Sequence, residues 1–91
     1  MFEPLKDPAA RMKVDALFDA LAEATAVEAR ATVRVELESM RWEALNHAGH
    51  PDNVPMLRGF IFGLSAAGTL DREPAQRLNN QLTEAQRAGW M

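Results

Sequence analysis

Cysteine is absent from the 91 residues, which excludes a disulfide framework, a thiolate metal site and a cysteine nucleophile. Tyrosine is also missing, and only four phenylalanines and two tryptophans supply aromatic bulk. No apolar run reaches the 18 or so residues that a membrane-spanning helix needs. No charge of one sign dominates: ten Lys and Arg face thirteen Asp and Glu, a formal net charge of −3. That balance excludes a basic nucleic-acid peptide and an acidic disordered tail. The opening residues MFEPLKDPAARMKV lack the apolar stretch of a secretory signal, so a cytoplasmic protein is expected. The length is that of one domain spanning 1–91.

Glycine and proline are scarce and clustered. Between Pro8 and Gly49 there is neither. What fills the chain instead is alanine, at 16 positions, with Leu, Arg, Glu and Gln, the residues of highest helix propensity. No segment alternates apolar and polar residues for long enough to form a half-buried strand. An all-α fold follows.

Asp7-Pro8 is a helix start, an N-cap type followed by proline at the first helical position. His47-Ala48-Gly49-His50-Pro51 is a stop. Between them Phe18, Ala22, Ala26, Ala29, Val33, Leu37, Met40 and Ala44 recur at steps of three and four, one continuous apolar stripe. The stripe predicts a single helix over about 8–48, roughly 60 Å long. Its weak point is Thr25–Val35, rich in β-branched residues, yet a full reversal normally needs glycine or proline. A helical hairpin should follow. Its first arm covers about 55–67, is apolar nearly all round and carries a smooth Gly59, Gly63, Ala67 stripe suited to tight packing. Its second arm covers about 71–88, with Asp71 as N-cap, a seam of Ala75, Leu78, Leu82 and Ala85, and Gly89 as stop, which leaves Trp90-Met91 as a loose tail.

A rod of that length outreaches a compact 91-residue domain, whose diameter is about 30 Å. The hairpin covers its C-terminal half, which leaves Val14, Leu17, Phe18 and Leu21 to be buried by a partner. Acidic Asp15 and Asp19 precede the small-residue centre Ala24-Thr25-Ala26 and basic Arg30 and Arg34 follow it, with Ala22 and Ala26 in the expected interface. Two copies crossing antiparallel there would pair Asp15 with Arg34 and Asp19 with Arg30, each twice. The expectation is therefore a homodimeric helical bundle. The alternative is a break near Thr25 and a four-helix monomer.

Candidate chemistry is sparse. His47, His50 and Asp52 hold imidazoles three apart beside a carboxylate, but in a helix end and turn, where capping is the ordinary role. Ser39 and Ser65 fall inside predicted helices, with no acid–His–Ser set suggested by spacing, and no glycine-rich loop follows a strand. No catalytic residue, metal or cofactor is expected. Arg72, Gln76, Arg77, Asn80, Gln81 and Arg87 are of types that read base edges, but residues 46–91 carry four basic and four acidic side chains and so lack a phosphate-binding surplus. The expected function is a non-enzymatic protein–protein interaction module that self-associates through its first helix. A small bacterial or mobile-element accessory, adaptor or inhibitor would have this form. Trp42 and Trp90 are its candidate partner-binding residues. The alternatives are a DNA-binding accessory or regulatory protein using the last helix, and a scaffold holding an apolar ligand between helices.

Overall fold

A computed structural model describes residues 2–91. It contains four α-helices: α1 Pro8–Ala24, α2 Arg30–Asn46, α3 Asn53–Ala66 and α4 Arg72–Ala88. A short 3-10 turn, Val27–Ala29, leads into α2. Strands are absent among the described residues, so the all-α expectation holds. α1 packs on α2 and α4, and α3 packs on the same two, which makes an up-down-up-down ring. The radius of gyration is 12.5 Å and the extents are 36 × 23 × 21 Å.

The single helix over 8–48 does not exist; the chain reverses at Thr25-Ala26 without glycine or proline. Thr25 and Ala26 are extended, with ψ of 140° and 135°. Four hydrogen bonds replace the helical ladder at this corner. The Thr25 hydroxyl donates back to the carbonyl of Leu21 at 2.9 Å, competing with the helix as threonine hydroxyls do. The Ala26 N–H donates to the carbonyl of Thr69 at 2.9 Å, alongside an antiparallel bridge between Thr25 and Leu70. Arg30 then folds back: its Nε donates to the carbonyl of Thr25 at 3.0 Å and its Nη2 to that of Glu23 at 2.7 Å. These are carbonyls that the end of α1 would otherwise leave unpaired, and cationic side chains suit that end.

The reversal lets both arms of the apolar stripe meet. Val14, Leu17, Phe18 and Leu21 from α1 share one core with Val33, Leu37 and Ala44 from α2. Val54, Leu57 and Ile61 from α3 complete it with Ala75, Leu78, Leu82 and Ala85 from α4. The α4 seam is thus buried as its spacing predicts. Asp7 and Asp71 precede α1 and α4 as expected, but neither side chain caps. Their carbonyls accept the N–H groups of Arg11 and Ala75 at 3.0 Å. At the opposite end from the corner, Leu5 N–H donates to the carbonyl of Leu45 at 2.8 Å and Ala48 N–H to that of Glu3 at 3.0 Å, tying the N-terminal segment to the end of α2.

Two further expectations are corrected. Trp90-Met91 is no loose tail. Gly89, at φ 83°, turns the chain so that Trp90 N–H reaches the carbonyl of Ala85 at 3.2 Å, and Met91 is buried in the core. Nor is α3 buried all round. Met56 is 61% and Phe62 53% exposed, and Gly59, Gly63 and Ala67 face outward. A Cβ added at Gly59 or Gly63 would meet nothing within 4 Å, so the small-residue stripe serves no packing inside this chain. Gly63→Ala should therefore raise stability, by about 0.5–1 kcal/mol from helix propensity alone. A melting temperature higher by a few degrees would agree, and a lower one would show that the site is tightly packed.

Candidate functional site

The residues expected to join two copies are spent inside one. Val14, Leu17, Phe18 and Leu21 are at most 3% exposed, so nearly all of their surface is already covered within the chain. Ala22 and Ala26 are half-buried, Ala26 within the corner itself. Asp15 and Asp19 find their cation on α2 of the same chain. Arg41 donates through Nη1 to Asp15 Oδ1 at 3.0 Å and through Nη2 to Asp19 Oδ1 at 2.7 Å. Arg30 caps α1, while Arg34 is exposed and borders a shallow hollow with Asp19, Ala22, Glu23 and Arg30. The pairs expected between two copies, Asp15 with Arg34 and Asp19 with Arg30, do not form within the chain; both aspartates are taken by Arg41 instead.

Arg41 carries no signal in the linear sequence; only the reversal brings it opposite two aspartates one turn apart. Its side chain is 17% exposed and lies 5.5 Å from the centre of the Phe18 ring. Burial works against its charge, but the bonds from Asp19 and then Asp15 outweigh it and hold the pKa above the ordinary arginine value. Its buried Nε lacks a hydrogen bond, and the nearest carboxylate oxygen there is Glu38 Oε2 at 3.6 Å.

The turn after α2 gathers Ser39, Met40, Glu43, His50, Asp52, Asn53 and Met56 around a hollow of about 350 Å³. Serine, histidine and carboxylate together are the residue types of a hydrolase, but the hydrogen bonds do not fit. His50 Nδ1 accepts the Asp52 N–H at 3.1 Å, so the neutral ring carries its proton on Nε2 and cannot take one from a serine there. No hydrogen bond joins Ser39 to His50 among the described residues. His47 Nδ1 lies 2.6 Å from Glu43 Oε2, and the His47 carbonyl accepts Asn53 Nδ2 at 3.0 Å. Both histidines thus serve the helix end and the turn. Among the described residues no three His, Asp or Glu side chains gather as metal ligands, and no helix is long and apolar enough to cross a membrane.

Two of the three arginines on the predicted base-reading face of α4 are paired within the helix. Arg77 bonds Glu73 at 3.0 Å and Arg87 bonds Glu84 at 3.1 Å, each about one turn away. Such pairs cancel the field that phosphates require.

Besides the hollow beside Arg30 and Arg34, two concave surfaces lie where the two hairpins meet. Contacts are densest within α1–α2 and within α3–α4, and the seams between the hairpins, α1–α4 and α2–α3, are looser. On the α1–α4 seam, Ala16, Leu17 and Ala20 form a low apolar floor opposite Asn80 and Gln81, in a groove of about 620 Å³. Trp90, half-buried, also lines it, and Lys13, Arg77 and Glu84 stand around it. The α2–α3 seam carries the turn hollow and leads onto the exposed face of α3. Trp42 is on neither floor: it is 55% exposed on the outer side of α2, edge-on to His47 at 5.3 Å.

Arg41→Ala should cost about 1–2 kcal/mol, because it leaves Asp15, Asp19 and Glu38 facing one another without a cation, partly screened by water. The urea midpoint should fall accordingly, and the gap from wild type should narrow in high salt. A midpoint unchanged at low salt would show that the cluster carries no stability.

Comparison of this chain with known protein families, with curated proteins and with solved structures finds no match in any of the three.

Proposed function

We propose that this protein is a non-enzymatic helical protein-interaction module whose partner docks in the α1–α4 groove. The observation that carries the reading is an apolar floor beside an aromatic wall: Ala16, Leu17 and Ala20 lie beside Trp90 in one groove. Tryptophan is enriched among the residues that dominate binding energy, and it does so from well-packed settings. Trp90 has such a setting because the Gly89 turn and the buried Met91 fix the chain on either side of it. Cations and an acid share the border, so a partner can be oriented by charge while its apolar side chains cover the floor. Of the two tryptophans singled out in the sequence, Trp90 is assigned the anchoring role. Self-association through the first helix is not part of the proposal, since its apolar face closes the monomer's own core.

Ala16→Glu tests this directly. Position 16 is exposed in the middle of α1, and glutamate is a good helix former, so the fold should survive. A charge on the groove floor should reduce recovery of the protein's binding partner from native-host lysate at least tenfold, read by quantitative mass spectrometry. Circular dichroism and melting should match wild type. Equal recovery by the variant and the wild type would remove the groove from the account.

A further inference from the structure

Without cysteine, the soft sulfur donors of this chain are its five methionines. Two of them line the turn hollow, one from each side of the α2–α3 seam. Met40 is half-buried on α2, and Met56 is exposed in the first turn of α3. His50 lines the same hollow from the turn between the helices, with Asp52 beside it. Packing accounts for Met40, which lies against the core as a flexible gap-filler. It does not account for Met56, which buries little and is not part of the core.

Two thioethers and an imidazole around one hollow are a donor set with a definite preference. Calcium and magnesium take oxygen ligands, several at a time, and the oxygens here are few and partly engaged. Glu43 Oε2 lies 2.6 Å from His47 Nδ1, and among the described residues no three His, Asp or Glu side chains gather. Structural zinc asks for thiolates and imidazoles, of which the hollow has one. Uncharged sulfur with imidazole suits copper(I).

We infer that the turn hollow is a binding site for copper(I), held by the thioether sulfurs of Met40 and Met56 and by the imidazole of His50. Glu43 and Asp52 border the hollow and give it a negative potential that favours a cation. In the free protein His50 Nδ1 accepts the Asp52 N–H at 3.1 Å, so Nε2 of the neutral ring carries the proton. Ligation through Nε2 moves that proton to Nδ1 and gives up the bond from the Asp52 N–H. Asp52 Oδ2, 3.8 Å from Nδ1, is then placed to turn and accept the proton's bond. A carboxylate behind a ligating imidazole fixes its tautomer and raises its basicity. The ring keeps one proton throughout, and the metal enters and leaves as copper(I), so no electron is transferred. The bound ion ties α2, the turn and α3 together across a seam between the hairpins, and binding therefore resists unfolding. The site lies on the opposite seam from the α1–α4 groove and does not depend on it.

The test uses the intact protein under anaerobic conditions, with copper(I) delivered from a competing chelator. Silver(I) in chloride-free buffer serves as an ion of the same softness for calorimetry and NMR. One equivalent of either ion should bind. The methyl groups of Met40 and Met56 and the ring of His50 should shift, and the melting temperature should rise. Met40→Leu and Met56→Leu keep side-chain volume and helix propensity, and each should weaken copper(I) binding about tenfold or more. Met56 is exposed, so its variant keeps the fold even if Met40→Leu loosens the core. Met12→Leu removes an exposed thioether from α1 and should leave binding unchanged. Unchanged affinity in Met56→Leu, an equal loss in Met12→Leu, zinc bound as tightly as copper(I), or no silver uptake at millimolar concentration would each overturn the proposal.

Discussion

The corner at Thr25-Ala26 is held from two directions, and the rest of the bundle depends on it. Within the chain's own neighbourhood, Thr25 bonds back to Leu21, and Arg30 covers the carbonyls of Glu23 and Thr25. From far away in sequence, Thr69 and Leu70 meet Thr25 and Ala26 in a single bridge. The second contact fastens the corner of one hairpin to the corner of the other, at the same end of the molecule. Ending the helix costs a few ladder hydrogen bonds, each with a net contribution of about 1 kcal/mol, and the corner replaces most of them. It allows Val14, Leu17, Phe18 and Leu21 to be buried, each worth roughly 1.5–3 kcal/mol. The balance favours folding back over a continuous rod by a wide margin.

Once the chain reverses, its charges sort themselves. The two aspartates of α1 point across to Arg41, a cation that desolvation alone would penalise and that the carboxylates retain. Hairpin contacts become dense, and the seams between hairpins stay open enough to form grooves. One seam is floored by alanines and lined by Trp90; the other holds the hollow at the turn, lined by Met40 and Met56 with Glu43 and Asp52 beside them. The outer face of α3, with Met56 and Phe62 exposed, is left uncovered within the chain.

Four helix ends were legible in the sequence because a breaker with a mechanism stands at or beside each: Pro8, Gly49, Gly68 and Gly89. The α4 seam was legible because its four apolar positions leave only one way to face a core. The reversal was not legible, and the reason lies in the stripe. Ala22, Ala26, Ala29 and Val33 keep helical spacing across the corner, because both arms of the hairpin bury the same side of the chain. Periodicity is blind to a fold that preserves its phase. The signal that decides the matter is spread over Thr25, Arg30 and Leu70, the last 45 positions downstream of the first. The candidate sites follow the same division. Trp90, placed just after a capping glycine, stood out as a large aromatic with no helix of its own. The grooves did not, since each is made of helices that only the reversal brings side by side.

The reversal is open to direct measurement, because a chain without cysteine accepts two labels at chosen places. Cysteines replacing the exposed Met12 and Glu43 can carry spin labels for a dipolar distance measurement. Antiparallel packing of α1 on α2, with axes 8–10 Å apart, predicts a separation below about 20 Å. A continuous helix places the same residues about 46 Å apart, and a distribution centred near that value would contradict the account at its root.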